Sequence, residues 1–197
     1  MQPDWVVGFQ DEVWFSRLAQ PGTSTWRSDK KPLRLCVKER AARDKTAKAL
    51  ACYGLFVPEQ PAQAAPEQML LRFVAGRPVS AVTCDFLAWT CECLWGQQGT
   101  RVLVLVWDNA SWHMSREVTS WIKTHNRQVK TTGTGTRLLV CPLPSRSPWL
   151  NRIEPKWVQG KRALVEPERV LSLQELAQRL CRYYVFAATM AVSAWNP

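Results

Sequence analysis

Three acidic residues offer this sequence its clearest route to chemistry. Asp11 lies in a β-branched and aromatic run from Val6 to Phe15, Asp108 follows six consecutive apolar residues, Val102 to Trp107, and Glu154 heads a helical stripe. Ligands of α/β sheets gather at strand ends. Hard divalent cations such as magnesium take carboxylate oxygens and keep several waters, so three carboxylates suffice for two ions. One ion would activate a water or hydroxyl, and the other would stabilise the leaving oxygen of a phosphodiester. Each acid also has a plain structural reading. Asp108 with Asn109 would cap the turn after its strand, Glu154 would complete a capping box with Asn151, and Asp11 would be a solvent-facing strand residue. With 16 acids in the chain, spacing alone does not choose.

The elements that must position these acids read as an α/β sandwich built on a mixed sheet. Val6 to Phe15 predicts a strand, Pro21-Gly22 a turn, and Leu33 to Val37 and Lys48 to Val57 two further strands of an antiparallel meander. Pro58 to Pro66 reads as a surface loop, and Leu70 to Val74 returns to the sheet. Val82, Phe86, Leu87, Thr90 and Leu94 recur at helical spacing, with Ser80 as the expected cap. The unbroken run Val102 to Trp107 predicts a strand buried on both faces. Ser115 then opens an amphipathic helix through Val118, Trp121, Ile122, His125 and Val129. After the strand Arg137 to Cys141, Ile153, Trp157, Gly160 and Leu164 share one helical stripe, and Pro155 fits only its first turn. A last helix, Leu173 to Ala188, starts at Ser172 with Glu175 three residues on.

The residues around the acids carry more than spacing. Trp107-Asp108-Asn109-Ala110-Ser111-Trp112-His113 and Ser147-Pro148-Trp149-Leu150-Asn151-Arg152-Ile153-Glu154-Pro155-Lys156-Trp157, with Asp11-Glu12-Val13-Trp14-Phe15 upstream, resemble the DDE-superfamily endonuclease domain of mariner-like bacterial insertion-sequence transposases. The three blocks occur in that family's order and span nearly the whole chain. The resemblance implies a ribonuclease H-like fold, two Mg2+ or Mn2+ ions on Asp11, Asp108 and Glu154, and DNA strand cleavage followed by strand transfer. It implies support roles for Asn109 and His113; a packed histidine is the other reading of His113. It also implies double-stranded DNA, as element ends and target, for a partner, and a homodimer when acting on it.

Two departures stand out. Arg152 replaces a proline usual between the Asn and Ile of the third block, and the 45 residues between Asp108 and Glu154 exceed the usual spacing. The excess fits the Gly-Thr loop in Lys130 to Arg137. The first acid lies at position 11, so the helix-turn-helix region that normally precedes such domains is expected to be absent, leaving residues 1–197 as one catalytic domain. The rival readings are an inactive DNA-binding remnant and another ribonuclease H-like nuclease.

Composition agrees with a polyanionic partner. Twenty-six Lys and Arg against 16 Asp and Glu leave a formal charge of +10, and Arg146, Arg152, Lys156, Lys161 and Arg162 cluster around Glu154, where phosphates would flank a scissile bond. The alternative for any one of them is a solubilising helix face. Seven cysteines without a Cys-x-x-Cys pair and only two histidines argue against a zinc site. With no secretory signal at the N-terminus, they point to a reduced, cytoplasmic protein. The apolar stretch Tyr183 to Trp195 is too short to span a bilayer and reads as a core helix.

Overall fold

The computed structural model describes residues 4–22, 24–34, 38–60, 65–74 and 79–184. Its main sheet has five strands: β1 (Trp5–Ser16), β4 (Ala49–Val57), β5 (Gln68–Val74), β6 (Val102–Trp107) and β7 (Arg137–Pro142), in the order β5-β4-β1-β6-β7. β4 pairs antiparallel with β1 and β5, whereas β6 runs parallel to both β1 and β7. The sheet is therefore mixed, as the sequence predicts.

Helices cover both faces, and the alternation of β1 shows why. Val6 joins Tyr53, Leu55, Leu103, Leu105 and Trp107 in a core beneath α1 (Ser80–Gln98) and α2 (Arg116–Thr132). Val13 and Phe15 face the other way, with Cys52, Phe56, Ile153, Trp157, Leu176 and Leu180, beneath α3 (Glu154–Ala163) and α4 (Leu173–Tyr184). Successive side chains of a strand point to opposite faces, so β1 feeds two cores at once. β6 is buried along nearly its whole length, as its apolar run requires.

The N-terminal meander is built differently from the expectation. Pro32–Arg34 (β3) pairs with Ser24–Trp26 (β2) in a separate ribbon, and β1 pairs directly with β4 from Phe9↔Phe56 to Ser16↔Ala49. β4 is buried from Leu50 to Val57, so it takes the place beside β1. The buried Arg17 closes the excursion: its Nε donates to the Leu171 carbonyl at 2.5 Å, and its guanidinium also reaches the Ala47 carbonyl and Asp44.

Helix starts divide in the same way. Ser115 caps α2 by accepting from the Val118 N–H at 3.2 Å, and Ser172 with Glu175 forms the expected reciprocal box on α4. Ser80 does not cap α1. Val79 holds the cap position in extended conformation without a side-chain bond, and Ser80 is the first helical residue. Leu35 to Val37, Pro61 to Ala64 and the stretch beyond Tyr184, with the last turn of the expected final helix, lie outside the described residues. Among the described residues no helix is long and apolar enough to cross a membrane.

Candidate active site

The register of the parallel pair places two acids side by side. Phe9 is level with Val106, so two residues further on Asp11 stands beside Asp108, where β6 has just ended. Glu154 begins α3, the helix packed across the same face of β1. All three line one open cavity of about 330 Å3, together with Asn109, Arg146 and Asn151.

Each acid is held by a different contact. Asp11 Oδ2 accepts from the Trp157 indole N–H at 3.1 Å. Burial pushes the Asp11 carboxyl up to about 7, and the charges of Glu154, Glu12 and Asp108 push it the same way against one backbone hydrogen bond. Asp108 uses Oδ1 twice, accepting from the Ala110 N–H at 2.9 Å and lying 2.9 Å from His113 Nδ1. The bond from His113 holds Asp108 below the usual carboxylate range. Its Oδ2 has no hydrogen-bond partner among the described residues.

The approach of α3 depends on residues that carry no charge. Asn151 is buried and its amide donates to the Gln10 carbonyl at 3.2 Å, which ties the turn before α3 to β1. It does not cap α3, whose cap position is Ile153, in helical conformation without a side-chain bond. Asn109 Nδ2 donates to the Leu143 carbonyl at 2.7 Å, and Leu143 N–H donates to the Trp107 carbonyl, so the two chain segments beside the cavity are stitched together.

The structure distributes the five cations around Glu154 unevenly. Arg146 lines the cavity, on a turn where its φ of 59° is the left-handed conformation that non-glycine residues seldom adopt. Arg152 is exposed, 5.8 Å above the Phe9 ring. Lys161 and Arg162 are exposed in the last turn of α3. Lys156 turns to a different depression, where it pairs with Glu67 at 2.6 Å and covers Phe56.

Sequence reasoning missed Glu12. It lies on the opposite face of β1 from Asp11, with only 4% of its side chain exposed, and its carboxylate faces three donors: Gln10 Nε2 at 2.8 Å, Trp112 Nε1 at 3.1 Å and His113 Nε2 at 3.0 Å. His113 is a packed histidine, stacked on Trp107 with ring centroids 4.5 Å apart, and it touches the site as well. The 101-residue separation of Glu12 and His113 gave the sequence no local signal.

Among the described residues no three His, Cys, Asp or Glu side chains stand close enough to hold an ion by themselves. The donor set nevertheless suits a hard divalent cation. Such ions are commonly held by one or two carboxylates plus water and substrate oxygens. A cation in the cavity would also relieve the mutual repulsion that raises Asp11.

A mixed five-stranded sheet in this order, with helices on both faces and an acid on the central strand beside one at the end of its parallel neighbour, is a ribonuclease H-like fold. Solved structures match it over nearly the whole chain. A Mos1 transposase paired-end complex with the left transposon end superimposes with a TM-score of 0.65 at 16% identity, covering 94% of this chain and 49% of that one. A mariner Mos1 paired-end complex with Mg gives 0.63 at 15% identity, covering 92% and 48%. The Mos1 catalytic domain with Raltegravir and Mn gives 0.54 at 14% identity, covering 95% and 73%. The chain thus spans about half the length of the polypeptides in the paired-end complexes. No curated protein sequence matches it. Residues 73–177, more than half of the chain, match the DDE superfamily endonuclease model, and the chain belongs to that family.

Proposed function

We propose that residues 1–197 form one catalytic domain of transposase type, which cleaves DNA strands and joins the freed 3′ end to target DNA. The observation that supports this best is the convergence of Asp11, Asp108 and Glu154 on one open cavity, with Asp11 raised by burial and by the other acids. In this reading Asp11, Asp108 and Glu154 would hold two Mg2+ or Mn2+ ions. The bound ions supply Lewis acidity and lower the pKa of water. The chain's own part is positional: Trp157 orients Asp11, His113 orients Asp108, and Asn151 fixes the entry of α3 and so the place of Glu154.

The partner is double-stranded DNA, element ends and target, bound by a homodimer in the cytoplasm of a bacterium carrying the insertion sequence. Mos1 structures solved with a transposon end support the choice of partner, and those with Mg and Mn support the choice of ions. Arg146, Arg152, Lys161 and Arg162 hold flanking phosphates, with Lys156 contributing less because Glu67 already neutralises it. The deciding experiment is nicking of supercoiled plasmid with and without Mg2+. Wild-type protein should nick only with the metal, and Asp108→Asn should retain DNA binding while losing at least ~10²-fold in rate, the order seen when one preorganised electrostatic contact is removed. Equal nicking by the two proteins would remove Asp108 from the site.

A further inference from the structure

Glu12, His113 and Asp108 form a chain of contacts that begins in the protein interior and ends at the cavity. Its two inner members are closed off, with 4% of the Glu12 side chain and none of His113 exposed, whereas Asp108 is 54% exposed. We propose that Glu12 is a positioning residue for metal binding: it anchors the His113 ring, and the anchored ring holds Asp108 Oδ1 so that Oδ2 is presented to the cavity. The inference rests on the reading of Asp108 as a metal-holding carboxylate.

Three features carry it. The imidazole has no rotational choice, because it lies flat on Trp107 with an interplanar angle of 6° and meets a carboxylate oxygen at each nitrogen, at 2.9 and 3.0 Å. Each nitrogen thus meets its own carboxylate oxygen, one on the interior side at Glu12 and one at the cavity on Asp108. Glu12 lies on β1 and is held by Gln10 of the same strand, so the anchor belongs to the sheet and not to the loop it steadies, to which Trp112 adds a second tie. Groups that orient a metal-bound carboxylate commonly change metal affinity 10- to 100-fold when removed, by way of geometry and not of fold.

A purely structural ion pair would look similar, and stability measurements alone would not separate the two. Replacing a whole buried polar pair by apolar groups of like shape is often neutral for stability. The double variant Glu12→Met with His113→Phe keeps the stack on Trp107 and leaves no buried charge without a partner, while Gln10 and Trp112 each lose an acceptor and the half-exposed Asp108 loses its ring contact. Titration with Mn2+, read by the electron paramagnetic resonance signal of free ion, should show at least about tenfold weaker binding in this variant while it remains folded. Glu12→Gln, whose amide oxygen can still accept from Nε2, should stay within about threefold of wild type. Should the double variant fail to fold, His113→Asn and His113→Gln decide, since Asn places its amide where Nδ1 stands and Gln where Nε2 stands. Each variant keeps only one of the two contacts, so weakened Mn2+ binding in both supports the proposal; wild-type affinity in His113→Asn, which keeps the Asp108 contact without the Glu12 one, overturns it, as does wild-type Mn2+ affinity in a folded double variant. Asp108→Asn serves as reference: if it too leaves Mn2+ binding unchanged, the reading of the site fails and not merely this extension of it.

Discussion

Asp11 and Glu12 are neighbours on one strand and live in opposite worlds. Asp11 faces α3, with one indole N–H for company, and burial together with the charge of Glu154 and other acids holds its carboxyl up to about 7. Glu12 faces the α1 and α2 side, with 4% of its side chain exposed, and meets three donors. The difference shows that burial alone does not mark a reactive acid. An acid short of partners and crowded by like charge stores repulsion that a cation can release, whereas a fully partnered acid is architecture.

The sharpest way to break the comparison is to neutralise each acid in turn. Asp11→Asn should lower Mg2+-dependent nicking by at least ~10²-fold and raise the unfolding midpoint at pH 8. Glu12→Ala should destabilise the fold by about 3–5 kcal/mol, because it strands His113 against Asp108; urea titration measures it. If Asp11→Asn proved the more destabilising of the two, the assignment of roles would be reversed.

Acidity offers a second, smaller test. The folded protein holds a proton on Asp11 up to about 7, above the ordinary 3.8, so stability should fall as pH rises from about 4 to 7. His113 extends the fall. Burial alone would lower its pKa, but hydrogen bonds to Asp108 and Glu12 raise it to about 9, so its contribution is complete below about 6.5 and lost as pH passes 9. Differential scanning calorimetry across pH 4 to 10 should show a declining midpoint. Asp11→Asn should remove the lower part of the decline, worth up to ~4 kcal/mol, and leave the upper part. A flat profile would contradict both shifts.

The cations of α3 give the smallest effect. Lys161→Glu with Arg162→Glu should reduce the logarithmic salt slope of DNA binding by about 1.8, at ~0.9 for each phosphate no longer neutralised. Lys156→Glu should change it less, since Glu67 already occupies that charge at 2.6 Å. An equal reduction from all three would show that the Glu67 pair opens on DNA.

What was legible in the sequence was local. β6 announced itself by six apolar residues, and the caps at Ser115 and Ser172 close over three residues. The acids were legible through short blocks that resemble a family. Contacts across long separations were not. Nothing near Glu12 names His113, and nothing near Lys156 names Glu67, 89 residues away. The short ribbon of β2 and β3 was misplaced for a related reason: strand character was readable, but the choice of partner depends on which strand buries more when the sheet assembles.

Gly54 turns this into a statement about mutational tolerance. It stands directly opposite Asp11 in the β1 and β4 pair, and the Trp157 indole lies over it so closely that a Cβ there would collide with the ring. Even alanine would have to lift Trp157, and with it the first turn of α3 that carries Glu154. A strand position with no charge and no hydrogen-bonding side chain is therefore as intolerant of change as the acids, and a harmful substitution here would leave all three carboxylates intact. A damaged copy of this domain could keep every motif by which it is recognised and still have lost the spacing on which its chemistry depends.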